Sequence, residues 1–139
     1  MVTGGVLGAA QAFGLGLDRR AGTTWAIATA LGLAVGLALG SGLAGFGTDV
    51  GSLAAQGAVS GAVVGLLQGA LLLRGGARIG WGWPVYLAAV WALGWTVTTA
   101  VGVRVEDQFT VFGAAGALTV TVLTAVLPAH LARTRSAVR

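Results

Sequence analysis

Long apolar runs without a single charged side chain constrain this chain more than any other feature. Five can be marked, over about residues 2–17, 24–46, 50–73, 81–103 and 109–131. Charge falls only between them, at Asp18-Arg19-Arg20, Asp49, Arg74 with Arg78, Arg104 with Glu106 and Asp107, and in the arginine-bearing tail. Crossing ~30 Å of hydrocarbon takes ~20 helical residues, so four of the runs are long enough to span a bilayer and the first is short. Every backbone polar group inside hydrocarbon must be paired within its own segment, which makes each run a helix. A membrane β-barrel would instead show short alternating strands. The expected fold is therefore an all-α integral membrane protein, a single domain of five transmembrane helices. The alternative is four spans preceded by an interfacial N-terminal helix.

Composition agrees with that reading. Of 139 residues, 56% are hydrophobic and 9% charged, a balance typical of integral membrane proteins. There is no cysteine, which excludes disulfides, thiolate metal sites and thiol nucleophiles. A net charge of +4 carried by arginine alone would suggest nucleic acid in a soluble protein. Here the arginines are dispersed among loops and tail, so no nucleic-acid partner is expected and the charge reads as topology. The start, MVTGGVLGAAQAFG, lacks the charged region of a secretory signal and is read as a mature membrane segment.

Five spans place the first loop, the third loop and the tail on one side of the membrane. That side holds Arg19, Arg20, Arg74, Arg78, Arg133, Arg135 and Arg139 with Asp18, whereas the other holds Arg104 with Asp49, Glu106 and Asp107. The excess of arginine marks the cytoplasmic face. The expectation is a multi-pass protein of the bacterial inner membrane, with its N-terminus outside and its C-terminus in the cytoplasm. Trp25, Trp81, Trp83 and Tyr86 fall beside Arg19, Arg20, Arg74 and Arg78 and are expected to anchor the helices at the headgroups.

Glycine organises the interior. Gly57, Gly61, Gly65 and Gly69 recur every fourth residue, as do Gly32, Gly36 and Gly40. Residues four apart share a helix face, so each series makes a groove without side chains. In lipid such grooves let helices approach backbone to backbone, as a glycine zipper. The grooves are expected to pack within the monomer; the alternative is an interface with a second copy or another membrane protein.

The chain also repeats. Residues 4–11, GGVLGAAQ, match residues 61–68, GAVVGLLQ, and each copy leads through an arginine pair to a tryptophan, Trp25 or Trp83. A partial third copy, Phe112 to Leu118, lacks the glutamine. The repeating unit is a two-helix hairpin, so its copies share an orientation across the membrane.

The pattern G-x-x-x-G-x-x-Q-x-x-x-L-x-R, followed by a basic loop and a tryptophan-headed glycine helix, resembles a largely uncharacterised group of bacterial multi-span proteins with tandem hairpins. Gly61, Gly65, Gln68, Leu72 and Arg74 carry it in one copy, and Gly4, Gly8, Gln11 and Leu15 in the other. Trp25, Gly32, Gly36 and Gly40, with Trp83 and Gly94, fit the second helix, so the resemblance covers most of the chain. It implies an architecture and no activity. Where members of the group carry a bulky aromatic after the glutamine, this chain has Ala12 and Gly69, and Asp18 intervenes before the first arginines.

Gln11 and Gln68 are the leading candidate residues, since they sit at matching depth below the same boundary. They either clamp helices together or line a small cavity for a solute. Thr96 and Thr99 would form a polar wall facing the fifth span near Gly113 and Gly116, or simply bond their own helix carbonyls. Trp91 and Trp95 lie one turn apart and are read as packing, with an apolar ligand as the alternative. Pro128 should kink the fifth span, and His130 should be solvated at its end. No acid, base or nucleophile pair lies within a span, so no catalysis, metal or cofactor is expected. The leading expectation is a non-enzymatic structural or accessory subunit, and the alternative a small transporter or channel for a neutral or apolar solute.

Overall fold

A computed structural model describes residues 2–100. Their regular secondary structure is all helical: α1 (Val2–Gly14), α2 (Arg19–Leu43), α3 (Val50–Arg74), a single 3-10 turn (Arg78–Trp81) and α4 (Trp83–Ala100). The expected fifth span, 109–131, and the end of the fourth lie outside the described residues.

The helix ends follow from local chemistry. Asp18 caps α2 by accepting the Ala21 N–H at 2.8 Å, and Asp49 caps α3 by accepting the Ser52 N–H at 3.0 Å. The Ser52 hydroxyl also donates to Asp49, and these bonds to the ionised form hold its carboxyl below the ordinary aspartate value of 3.8. Because a side-chain cap starts the helix, α2 begins at Arg19 rather than at 24 and takes both arginines into its first turn. The first and third helices end alike. Gly16 and Gly76 adopt φ of +64° and +80°, and the next residues, Leu17 and Ala77, bond back to the carbonyls of Ala12 and Leu72. That cap needs the left-handed conformation that glycine adopts freely.

Two helices, α2 and α3, are long and apolar enough to cross a membrane. The first helix stops at Gly14 instead of 17, and its 13 residues reach only about 20 Å at 1.5 Å per residue. It packs antiparallel along one half of α2, with Gly8 against Ala26 and Gly4 against Ala30.

Consecutive helices pack as antiparallel neighbours, so α3 sits between α2 and α4. Glycine sets each register. On α2, a Cβ at Gly32, Gly36 or Gly40 would meet the backbone of Val64, Ser60 or Gln56 within 2.9 Å, one step of four residues each time. On α3, Gly57, Gly61, Gly65 and Gly69 lie against Trp91, Leu87, Pro84 and Gly80 in the same manner. The two ridges use different faces of the bundle, so α3 is held on both flanks by backbone contact. Larger side chains, Leu7, Leu33, Val64, Leu87 and Trp91, fill the space between the ridges. The antiparallel order gathers Arg19, Arg20, Arg74 and Arg78 at one end of the bundle and Asp49 at the other.

Candidate functional site

Gln11 and Gln68 meet. Gln68 lies one turn beyond Val64 and next to Gly69, where the glycine face lets α4 come close; Gln11 holds the matching position on α1. The Gln68 Nε2 donates to Gln11 Oε1 at 2.9 Å and to Thr29 Oγ1 at 2.8 Å. Its Oε1 accepts the Trp83 indole N–H at 2.9 Å, and Gln11 Oε1 accepts the Trp25 indole N–H at 3.2 Å. The Thr29 hydroxyl in turn donates to the Trp25 carbonyl at 2.8 Å. Gln68 and Thr29 have no exposed surface, and Trp25 and Trp83 are 3% and 4% exposed.

The network joins all four helices. A glutamine on α1 and one on α3 each accept the indole N–H of a tryptophan on the next α-helix. The repeat seen in the sequence is thus a repeat of contacts: Gly8 touches Ala26 as Gly65 touches Pro84, and Gln11 takes Trp25 as Gln68 takes Trp83. The copies differ at one point. Thr29 follows Trp25 by one turn, whereas Leu87 follows Trp83, so only the first hairpin supplies a hydroxyl for the second amide proton of Gln68. Both protons of that amide are engaged by protein, which is how a buried amide avoids the cost of lost hydration.

Trp25 and Trp83 therefore sit inside the bundle, not at its surface as headgroup anchors would. Trp81 is 79% exposed, as an anchoring ring would be, and Arg19, Arg20, Arg74 and Arg78 are exposed at the same end. Tyr86 is half-buried beside Trp83, with ring centroids 5.5 Å apart. The signal that sequence reasoning misses is the pairing of one buried acceptor with one indole donor in each copy of the repeat. Thr29, in mid-helix, gives no signal of its own.

The other candidates are placed more simply. Gly32, Gly36 and Gly40 and Gly57, Gly61, Gly65 and Gly69 are all buried at helix contacts. Thr96 and Thr99 donate to the carbonyls of Ala92 and Trp95 at 2.8 and 2.9 Å, and the glycines expected opposite them lie outside the described residues. Trp91 is buried over Gly57 and Gly61, and among the described residues neither its indole N–H nor the Ser60 hydroxyl has a hydrogen-bond partner. Gln56 bonds to Ser41 on α2 and packs against Gly40. Pro128 and His130 lie outside the described residues. Among the described residues no three His, Cys, Asp or Glu side chains gather as a metal site would require.

Among the described residues Gln68 has no exposed surface and Gln11 is 7% exposed. A groove of about 420 Å³ exists, but on a flank of the α1–α2 hairpin, over Gly5, Ala9, Ala12, Gly22, Ala26 and Ala30. Comparison with known proteins found no matching family, no similar curated protein and no similar solved structure.

Proposed function

We propose that the chain is a non-enzymatic, multi-pass membrane protein that serves as a structural or accessory subunit. The observation that carries this reading is an apolar surface around an interior that holds polar side chains and glycine ridges beside its apolar core. The interior holds Gln11, Gln68, Thr29, Ser60 and glycine ridges, while Ile27, Leu31, Val35, Leu39 and Leu43 form an exposed stripe down α2. Leu66 on α3 and Val85, Leu93 and Val97 on α4 are exposed too. In water such a surface drives association, whereas lipid tails solvate it, and small or polar residues are what holds helices together in lipid.

The arginine-rich end then faces the cytoplasm, with the N-terminus outside and 109–131 as a fifth span. Support for the fifth span comes from the repeat. Val90, Gly94 and Thr98 of α4 are buried at the positions where α2 carries Gly32, Gly36 and Gly40, the ridge that seats its neighbour. The kinship with tandem-hairpin bacterial membrane proteins rests on the motif residues themselves. The solute-carrier reading is less well supported, because the hydrogen-bonding capacity of Gln68 is directed at Gln11, Thr29 and Trp83.

Purification from membranes in mild detergent, followed by mass measurement of the intact particle, tests the subunit role. A particle heavier than one chain in its detergent and lipid shell is expected, from a second copy or from a companion. A lone monomer would exclude it.

A further inference from the structure

We propose that the groove on the flank of the α1–α2 hairpin binds an anionic phospholipid, with one acyl chain along its floor and the phosphate at Arg19. This rests on the membrane reading given above. The floor is made of small residues, and Phe13, Leu17 and Ile27 form apolar walls. Asp18, Arg19 and Thr23 close one end. Asp18 is engaged in capping α2, and the Thr23 hydroxyl donates to the Arg19 carbonyl at 2.8 Å. Arg19 is exposed at this mouth and Arg20 follows it, two guanidinium groups against the single Asp18 carboxylate, so this end carries a net positive charge. An apolar trough ending in net positive charge complements a hydrocarbon chain ending in a phosphate.

The length of the groove suits one acyl chain. From Arg19 to Ala30 it runs about 16 Å along α2 at 1.5 Å per residue. That is about half of the ~30 Å hydrocarbon core, the depth of one leaflet and of one acyl chain.

The repeat supplies a control variant. Ala9 on the groove floor corresponds to Leu66 in the second copy, which stands exposed on α3. Ala9→Leu thus places on α1 the side chain already borne at the matching position, and it fills the trough without touching the buried network.

The test is native mass spectrometry of the full chain, released from membranes in detergent and offered phosphatidylglycerol and phosphatidylcholine with identical acyl chains. Retention of phosphatidylglycerol about fivefold above phosphatidylcholine is expected. Ala9→Leu should bring both lipids to background. Arg19→Gln should equalise them while chain binding persists, a result that loss of folding would not give. Equal retention by the unaltered chain, or undiminished phosphatidylglycerol retention in Ala9→Leu, would overturn the proposal. So would a change of oligomeric mass in Ala9→Leu, which would assign the groove to a second copy. Extraction of the chain by alkaline carbonate before any detergent would remove the membrane reading and this proposal together. A membrane-retained chain without lipid preference would remove this proposal alone.

Discussion

Gln68→Met lowers the stability of the bundle by about 2 kcal/mol, as measured by unfolding in mixed detergent micelles with rising dodecyl sulfate. Methionine keeps the length and most of the volume of glutamine, so little of the loss comes from a cavity. What disappears is the set of three hydrogen bonds to Gln11, Thr29 and Trp83. Interhelical bonds in lipid average ~0.6 kcal/mol each, which gives the stated figure. Gln11→Met removes the bonds that Gln11 accepts from Gln68 and Trp25, and about 1 kcal/mol is expected. The two variants share one bond, so the double variant should fall short of the sum by about 0.6 kcal/mol. Tryptophan fluorescence reports the transition directly, since Trp25 and Trp83 are members of the network. Strict additivity would mean that the two amides do not interact.

Gly61→Ala is the second large effect. A Cβ at this position would press into the Leu87 carbonyl and lie 2.8 Å from the Leu87 carbonyl carbon and the Trp91 Cβ. Backbone cannot swing aside as a side-chain tip can, so α3 and α4 must separate. Overpacking of this kind costs about 1–3 kcal/mol. Separation should also lengthen the bond from Trp83 to Gln68, because both lie on the same pair of helices. Gly5→Ala is the matched control. An added Cβ there meets nothing within 4 Å, and replacing a helix-interior glycine gains about 0.5 kcal/mol. If both substitutions behave alike in the same unfolding assay, the close approach at Gly61 is not what holds α3 to α4.

These two residues also show what is legible in the sequence. The glycine ridges can be read because spacing by four fixes a helix face, and no side chain can turn a ridge elsewhere. The meeting of Gln11 and Gln68 can be read from depth, since the repeat places them equally far from the same end. Trp25 and Trp83 cannot. A tryptophan at the head of an apolar helix suits a headgroup anchor as well as a buried donor, and rotation of the helix about its axis decides between them. That rotation is set by Gly8 against Ala26 and Gly65 against Pro84, contacts that no single helix specifies. Thr29 is hidden for the same reason: its hydroxyl satisfies its own helix at the Trp25 carbonyl and becomes an acceptor only once α3 brings Gln68 alongside. The start of α2 falls earlier than charge alone suggests, because the Asp18 cap draws Arg19 and Arg20 into the first turn.

The central claim is that the amide–indole network is a closed clamp and not the wall of a water-filled path. The absence of cysteine from the chain makes a single introduced thiol an unambiguous probe. Thr29→Cys, at a position with no exposed surface beside Gln68, should resist a membrane-impermeant maleimide in intact native membranes and in inverted vesicles. It should react fully once the protein is unfolded in dodecyl sulfate. Gly75→Cys, in the exposed turn after α3, should react at once in inverted vesicles. If the Thr29→Cys variant instead reacts in folded protein at a rate comparable to the Gly75→Cys variant, water reaches the amides, and the clamp is a lined cavity.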